Sequence, residues 1–204
     1  MIILMKSKII FSCQQCGYQS PKWLGKCPDC GQWNSLVEER MQQMSAKSRG
    51  AAGQTASAPA RFSEIVLTKD DRFSTHLSEL DRVLGGGVVA GSVVLIGGDP
   101  GIGKSTLLLQ GLQQISLHGS KVLYVTGEES LQQVKLRGER LGADSSNLFI
   151  LAETSLETIL EAAKALQPRV VAIDSVQTMF AGQIPSAPGS IGQVREVAGQ
   201  LMMF

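Results

Sequence analysis

"SVVLIGGDPGIGKST", residues 92–106, decides the fold. Val93 to Ile96 reads as a short buried strand, and Gly97, Gly98, Gly101 and Gly103 follow it closely. Glycine lets the main chain turn back without a Cβ clash, so successive N–H groups can converge on one centre, and such a centre suits an anion. The stretch fits G-x-x-x-x-G-K-[ST], the loop whose main-chain amides cradle nucleotide phosphates, with Gly98, Gly103, Lys104 and Ser105 at the fixed positions. Its members Gly98, Asp99, Pro100, Gly101, Ile102, Gly103, Lys104, Ser105 and Thr106 are the candidate phosphate-binding residues. "KSTLLLQGLQQISL" then continues as a helix over 104–117 whose positive N-terminal end faces the same anion. A glycine-rich turn can match such a pattern by chance, but the order strand, loop, helix favours the phosphate loop.

Outward from this motif the chain alternates strand and helix. Apolar runs at 121–125, 148–151 and 170–174 read as strands, and 130–141 and 155–166 as helices. The second helix carries Leu156, Ile159, Leu160, Ala163 and Leu166 on one face, and Pro168 ends it. Apolar strands interleaved with amphipathic helices predict an α/β domain with a parallel sheet covered on both faces. Its boundaries are read as 61–204.

"VVAID", 170–174, puts the Asp174 carboxylate at the carboxyl edge of that sheet, where with Ser105 and the phosphates it would orient Mg²⁺. Alone, such an aspartate is as well read as a turn cap. Ser175 follows it, so this strand supplies no hydrolytic base. Glu128 and Glu129 in "KVLYVTGEES" end the strand after the phosphate-loop helix, where a carboxylate could align the water that attacks the γ-phosphate. Ser130 reads as the next helix cap, which makes Glu129 a first-turn glutamate favoured by the helix dipole and leaves Glu128 as the base. Lys104 is the second catalytic candidate, acting on the phosphates of ATP.

The four cysteines fall early, as Cys13-x-x-Cys16 and Cys27-x-x-Cys30, each pair followed by glycine. Two such corners aim four thiolates at one tetrahedral centre, and Zn²⁺ is the expected ion. Two disulfides are the other reading, disfavoured in a reducing compartment. Four thiolates close the shell, so the site is structural rather than hydrolytic. Trp23 and Trp33 supply apolar mass to this 1–40 module; packing is the preferred reading for Trp23, a stacking platform flanked by Lys22 and Lys26 the alternative. His76 and His118 lie outside the module and read as ordinary histidines. Residues 41–60, rich in Ser, Ala, Gly and Gln, have linker composition.

With 43% hydrophobic residues, the 204-residue chain can build one medium core plus a small module. A formal net charge of +1 makes no global case for nucleic acid, so any DNA contact must be local. Lys6 and Lys8 interrupt the apolar start, no run is long enough to span a bilayer, and the chain reads as cytoplasmic without membrane contact.

"LSELDRVLGGGVVAGSVVLIGGDPGIGKST", "YVTGEES" and "VVAIDSVQTM" resemble the RecA-type ATPase core, and "CQQCGYQSPKWLGKCPDCGQWNSLVEE" resembles the zinc module of the RadA (Sms) family of bacterial DNA repair ATPases. The resemblance covers nearly the whole chain apart from the linker. It implies a DNA-dependent ATPase of homologous recombination that forms hexameric rings on single-stranded DNA, cooperates with RecA and drives branch migration of recombination intermediates. On it, Cys13, Cys16, Cys27 and Cys30 match zinc ligands, Gly98 to Thr106 the phosphate loop, Glu128 the catalytic glutamate and Asp174 the magnesium aspartate.

The family continues for a further half-chain, so a truncated form with an open sheet is expected, the strand between the phosphate-loop strand and the Asp174 strand being missing. Residues 180–192 stand where RecA-type proteins place a DNA-contacting loop, expected here to be mobile and to approach single-stranded DNA, with a plain flexible loop as the alternative and Ser186 as the position for a crosslinking test. Ile191, Val194, Ala198 and Leu201 mark the apolar face of a last, unfinished helix. The alternatives are a RecA-like ATPase acting on protein and a nonenzymatic adaptor built on the zinc module.

Overall fold

The computed structural model describes residues 8–41, 61, 72–184 and 186–204. At the N-terminal side, β1 (Lys8–Cys13) lies between β2 (Gln19–Ser20) and β3 (Leu36–Met41), all antiparallel, with Cys13 opposite Leu36. Met41, placed by composition in a linker, ends β3; the rest of 41–60 lies outside the described residues.

A short hairpin-like pair follows, β4 (Arg72–Phe73) with β5 (Val88–Val89), enclosing α1 (Ser78–Val83). Here Asp81 gathers the turn: its carboxylate accepts from the Ser74 hydroxyl and from both the amide and hydroxyl of Thr75, the latter two at 2.8 and 2.7 Å. Arg72 Nη1 donates to the carbonyls of Leu84 and Gly87 at 2.7 and 3.2 Å, closing the far end.

The main body holds α2 (Lys104–Leu117), β6 (Val122–Thr126), α3 (Leu131–Arg140), β7 (Leu148–Ala152), α4 (Leu156–Leu166), β8 (Val170–Asp174), a 3-10 turn (Val176–Thr178) and α5 (Ile191–Met203). Its sheet is parallel in the order β7-β6-β8. Strand side chains alternate between faces, and β6 uses both. Leu123 and Val125 join Leu156, Ile159, Ala163 and Val197 under α4 and α5, whereas Val122 and Tyr124 join Leu109, Leu112, Ile115 and Val134 under α2 and α3. The fold is therefore α/β with both faces of the sheet covered, as the periodicity predicts. Ser130 and Ser155 cap α3 and α4, the first in a reciprocal capping box with Gln133.

Three expectations are corrected. Residues 93–96 form no strand: among the described residues they pair with nothing, and Val93 and Leu95 are 65% and 86% exposed. A strand exists through its ladder, and the edge of β8 carries no neighbour among the described residues, so apolar character alone gives an unpaired extended segment. The buried face of α5 is also rotated from the expected one, with Gln193 and Val197 buried and Leu201 packed beside them. Ile191, Val194 and Ala198 instead line an open cavity of about 670 Å³ with Leu95 and Val176.

The described part of the 180–192 loop, finally, is tied to α5. Gln193 Nε2 donates to the carbonyls of Ala181, Ile184 and Ser186 at 3.3, 2.9 and 3.0 Å, and its Oε1 accepts from the Ala181 amide at 2.8 Å. Ser186 is buried, its hydroxyl 3.1 Å from that of Ser190. Apolar periodicity overlooks this because a glutamine in the stripe reads as a break, yet its amide can satisfy a whole turn of backbone.

Burial alone would raise the Asp81 carboxyl, but the hydroxyls of Ser74 and Thr75 and the amides of Thr75 and His76 outweigh it and hold it below the usual 3.8. Its stabilisation is thus present at neutral pH and is lost as pH falls below that value through the lowered one. Asp81→Asn is expected to cost about 1–2 kcal/mol at pH 7, read as a lower melting temperature, with the gap to the parent closing at strongly acid pH.

Candidate nucleotide and metal sites

The phosphate loop leads into α2 through Gly103, whose left-handed φ of 103° a side chain would resist. Lys104, Ser105 and Thr106 form the first turn, and their amides donate to no backbone carbonyl. Such unpaired donors at the positive end of a long helix fit a phosphate group. Lys104 folds back over the loop, its ammonium donating to the carbonyls of Gly98 and Asp99 at 2.8 and 2.9 Å.

The acidic residues meet at the carboxyl edge of the sheet. Thr126 at the end of β6 stands opposite Asp174 at the end of β8, and the Gly127 amide donates to the Asp174 carbonyl at 3.1 Å. A Cβ on Gly127 would come within 2.0 Å of Thr178 Oγ1, so only glycine permits this approach. It brings Glu128 beside Ser175, whose hydroxyl donates to Glu128 Oε1 at 3.0 Å, with the glutamate otherwise exposed.

Glu129 is held differently: Arg137 Nη1 and Nη2 lie 3.1 and 2.8 Å from its two oxygens. Arg137 Nη2 also donates to the Tyr124 hydroxyl at 2.7 Å, and that hydroxyl donates to Asp174 Oδ2. Burial, reinforced by the Asp174 carboxylate, pushes the Tyr124 hydroxyl above its usual range, so it stays protonated.

Not every anticipated partner is joined. Among the described residues no hydrogen bond or ion pair links Lys104 or Ser105 to Asp174 or Glu128. Tyr124 and Arg137 escape a motif search. A signal was present nonetheless, since a tyrosine inside the aliphatic strand "VLYVT" must find a partner for its hydroxyl.

At the other end of the chain the four cysteine sulfurs lie within 4.8 Å of one another, Cys13 to Cys30 at 3.6 Å and Cys16 to Cys27 at 3.5 Å. A tetrahedron with Zn–S bonds of about 2.3 Å has sulfurs about 3.8 Å apart, so the four fit one ion. All are free thiols, which sets aside the disulfide reading. Each corner is shaped alike, Gly17 and Gly31 returning their amides to the carbonyls of Cys13 and Cys27 at 2.9 Å with φ of 75° and 71°.

Burial works to raise the Cys13 thiol, but the Ser35 hydroxyl and the amides of Gln15 and Cys16 bring it down to about 6. Cys16, favoured by the Tyr18 amide but buried and crowded by the other three sulfurs, is pushed up to about 12. The tryptophans do not pack into this core, which consists of Cys13, Cys27 and Leu36 with Phe11, Cys16, Tyr18 and Leu24 around them. Trp23 and Trp33 are 54% and 69% exposed, meeting at Gly25, and the Lys26 ammonium stands 5.6 Å from the Trp33 ring centre. His76 and His118, outside the module as expected, stack face to face at 3.4 Å on the surface.

Comparison with known proteins agrees with both halves. A zinc-ribbon family described as rubredoxin metal binding domain matches residues 11–38, and the ATPase family described as KaiC matches 73–151. DNA repair protein RadA of Bacillus subtilis is 50% identical over 202 residues, which is 98% of this chain and 44% of that protein. The RadA proteins of Pseudomonas aeruginosa and Campylobacter jejuni are 51% and 48% identical, again over 98% of this chain and 44% and 45% of their own lengths. The chain thus spans less than half the length of these relatives.

Elemental analysis of protein purified without chelator is expected to give one zinc per chain. Cys16→Ser should lose it and with it an apparent stabilisation on the order of 10 kcal/mol in the module, read as loss of ordered β1–β3 amide signals on adding a chelator to the parent.

Proposed function

We propose, on the premise that over the length it spans this chain belongs to the RadA family, that it works in DNA repair as an ATP hydrolase stimulated by single-stranded DNA. The observation that carries this reading is the meeting of Glu128 with the Asp174–Ser175 corner, made possible by Gly127, at the edge of a sheet whose next helix opens on a phosphate loop.

In this reading the amides of Gly103 to Thr106 bind the phosphates, and Lys104 exchanges its loop carbonyls for β- and γ-phosphate oxygens. Ser105 and Asp174 hold Mg²⁺, which when bound neutralises charge developing on the phosphates. Glu128, aimed by Ser175, orients the attacking water and accepts its proton. Glu129 is spent on Arg137 and takes no proton.

The cysteine cluster holds zinc as a structural ion. The exposed Trp23 and Trp33 rings, flanked by Lys22 and Lys26, offer stacking faces to bases of single-stranded DNA. The wider assignment, a cytoplasmic hexamer acting with RecA on branched recombination intermediates, rests on the family alone. No helix among the described residues is long and apolar enough to cross a membrane.

Two other readings have an observation each. The KaiC match favours a RecA-like ATPase acting on protein, and the unpaired 93–96 segment favours a nonenzymatic adaptor. Stimulation by single-stranded DNA sinks the first and any turnover the second.

Hydrolysis, with and without single-stranded DNA, is to be measured on this chain and on one extended to the relatives' length. Lys104→Ala is expected to weaken nucleotide binding and turnover together, and Glu128→Gln to keep binding while single-turnover hydrolysis falls by roughly 10² or more. Glu129→Gln should cost stability but leave most of the hydrolysis. If Glu129→Gln abolished the chemistry and Glu128→Gln did not, the assignment of the base would be wrong.

Adding oligo-dT should quench the tryptophan fluorescence of the same proteins. Trp33→Ala should weaken oligonucleotide binding by about 1–3 kcal/mol, with unchanged binding refuting the platform.

A further inference from the structure

We propose, resting on the nucleotide site just described, that Tyr124 and Arg137 are positioning residues that set the orientation in which Asp174 meets its divalent cation. A guanidinium has donors only, so at 2.7 Å from Arg137 Nη2 the phenol oxygen of Tyr124 must be the acceptor. A phenol has one proton to give, and with Arg137 on its lone pair that proton is directed to Asp174 Oδ2. Tyr124 is fully buried in the central strand β6 and has no other partner within reach.

Arg137 is itself fixed. Its Nη1 donates to Glu129 Oε1 at 3.1 Å, its Nη2 stands 2.8 Å from Oε2 as an ion-pair contact, and its guanidinium carbon lies 5.8 Å from the centre of the Tyr124 ring. A continuous line of donors and acceptors therefore runs from Glu129, which stands just before the α3 cap Ser130 and not in its first turn as the sequence suggested, through Arg137 on α3 and Tyr124 on β6, to Asp174 at the end of β8. It leaves Asp174 Oδ1 with no hydrogen bond among the described residues, so one oxygen is anchored and the other is presented at the sheet edge.

Stability alone does not account for this line. Arg137 Nε is buried with no acceptor, a desolvation cost that an apolar residue on α3 would avoid. In metal sites the groups that orient a ligating carboxylate matter for affinity nearly as much as the ligand itself, and their removal costs about 10–100-fold. The same line keeps Glu129 away from the water site, leaving it to Glu128.

The test uses the whole chain in a Glu128→Gln background, so that nucleotide stays unhydrolysed. Binding of a fluorescent N-methylanthraniloyl ATP is followed while Mg²⁺ is titrated, and again in excess EDTA. Tyr124→Phe keeps the ring and removes only the hydroxyl. It is expected to raise the Mg²⁺ concentration for half-maximal effect about tenfold while metal-free nucleotide affinity stays equal to the parent's and the melting temperature falls modestly, Arg137 and Asp174 having lost a buried partner. Arg137→Lys, which keeps the charge but not the fork, should shift the Mg²⁺ requirement in the same direction.

An unchanged Mg²⁺ requirement in Tyr124→Phe overturns the proposal while leaving the nucleotide site standing. A fall in melting temperature with equal losses of binding in Mg²⁺ and in EDTA overturns it too, by showing a structural role. A parent that binds no nucleotide under either condition overturns both this inference and the function it rests on.

Discussion

The carboxyl edge of the sheet depends on how β6 and β8 finish together. Parallel pairing puts Thr126 level with Asp174, and the chain then leaves β6 through Gly127, whose amide is spent on the Asp174 carbonyl. The absent side chain is what lets this turn pass Thr178 and Met179, since a Cβ would stand 2.0 Å from one and 3.1 Å from the other. Glu128 is the next residue along. Its place beside Ser175 is therefore a property of the backbone crossing rather than of its own side chain, and the crossing is held by Leu123, Val125 and Met179 in the core beneath. The ends of the two strands thus bring Glu128 and the Asp174–Ser175 corner to the same edge of the sheet.

The two ends of the molecule use different means to the same end. A small antiparallel sheet whose buried core is little more than Cys13, Cys27 and Leu36 has too few apolar side chains to stand by packing alone, and four converging thiols take up the deficit. The α/β body needs no such help: two apolar clusters, one on each face of β6, meet through alternate side chains of that single strand.

Much of this was legible in residue order because it rests on local rules. The helix over 104–117 follows the phosphate-loop motif, Ser130 and Ser155 cap their helices, and the paired C-x-x-C corners fold as their glycines require. What sequence did not disclose is cooperative. Val93 to Ile96 has the composition of a buried strand, but a ladder needs a neighbour and the edge of β8 has none among the described residues. Trp23 and Trp33 looked like core because tryptophan is large and apolar; the cysteine cluster occupies that place and leaves the rings outside. The partners of Tyr124 lie 13 and 50 positions away, and no periodicity connects them.

Gln193 carries a structural consequence. One carboxamide holds the backbone of Ala181, Ile184 and Ser186 at once, joining these residues to the start of α5. Ala181 follows directly on Phe180, whose carbonyl receives the Leu156 amide at 2.9 Å, and on Met179, which is sealed in the core against β6 and α4. Gln193 thereby joins the first turn of α5 to the backbone that runs back through Phe180 to Met179, in the core shared by β6 and α4.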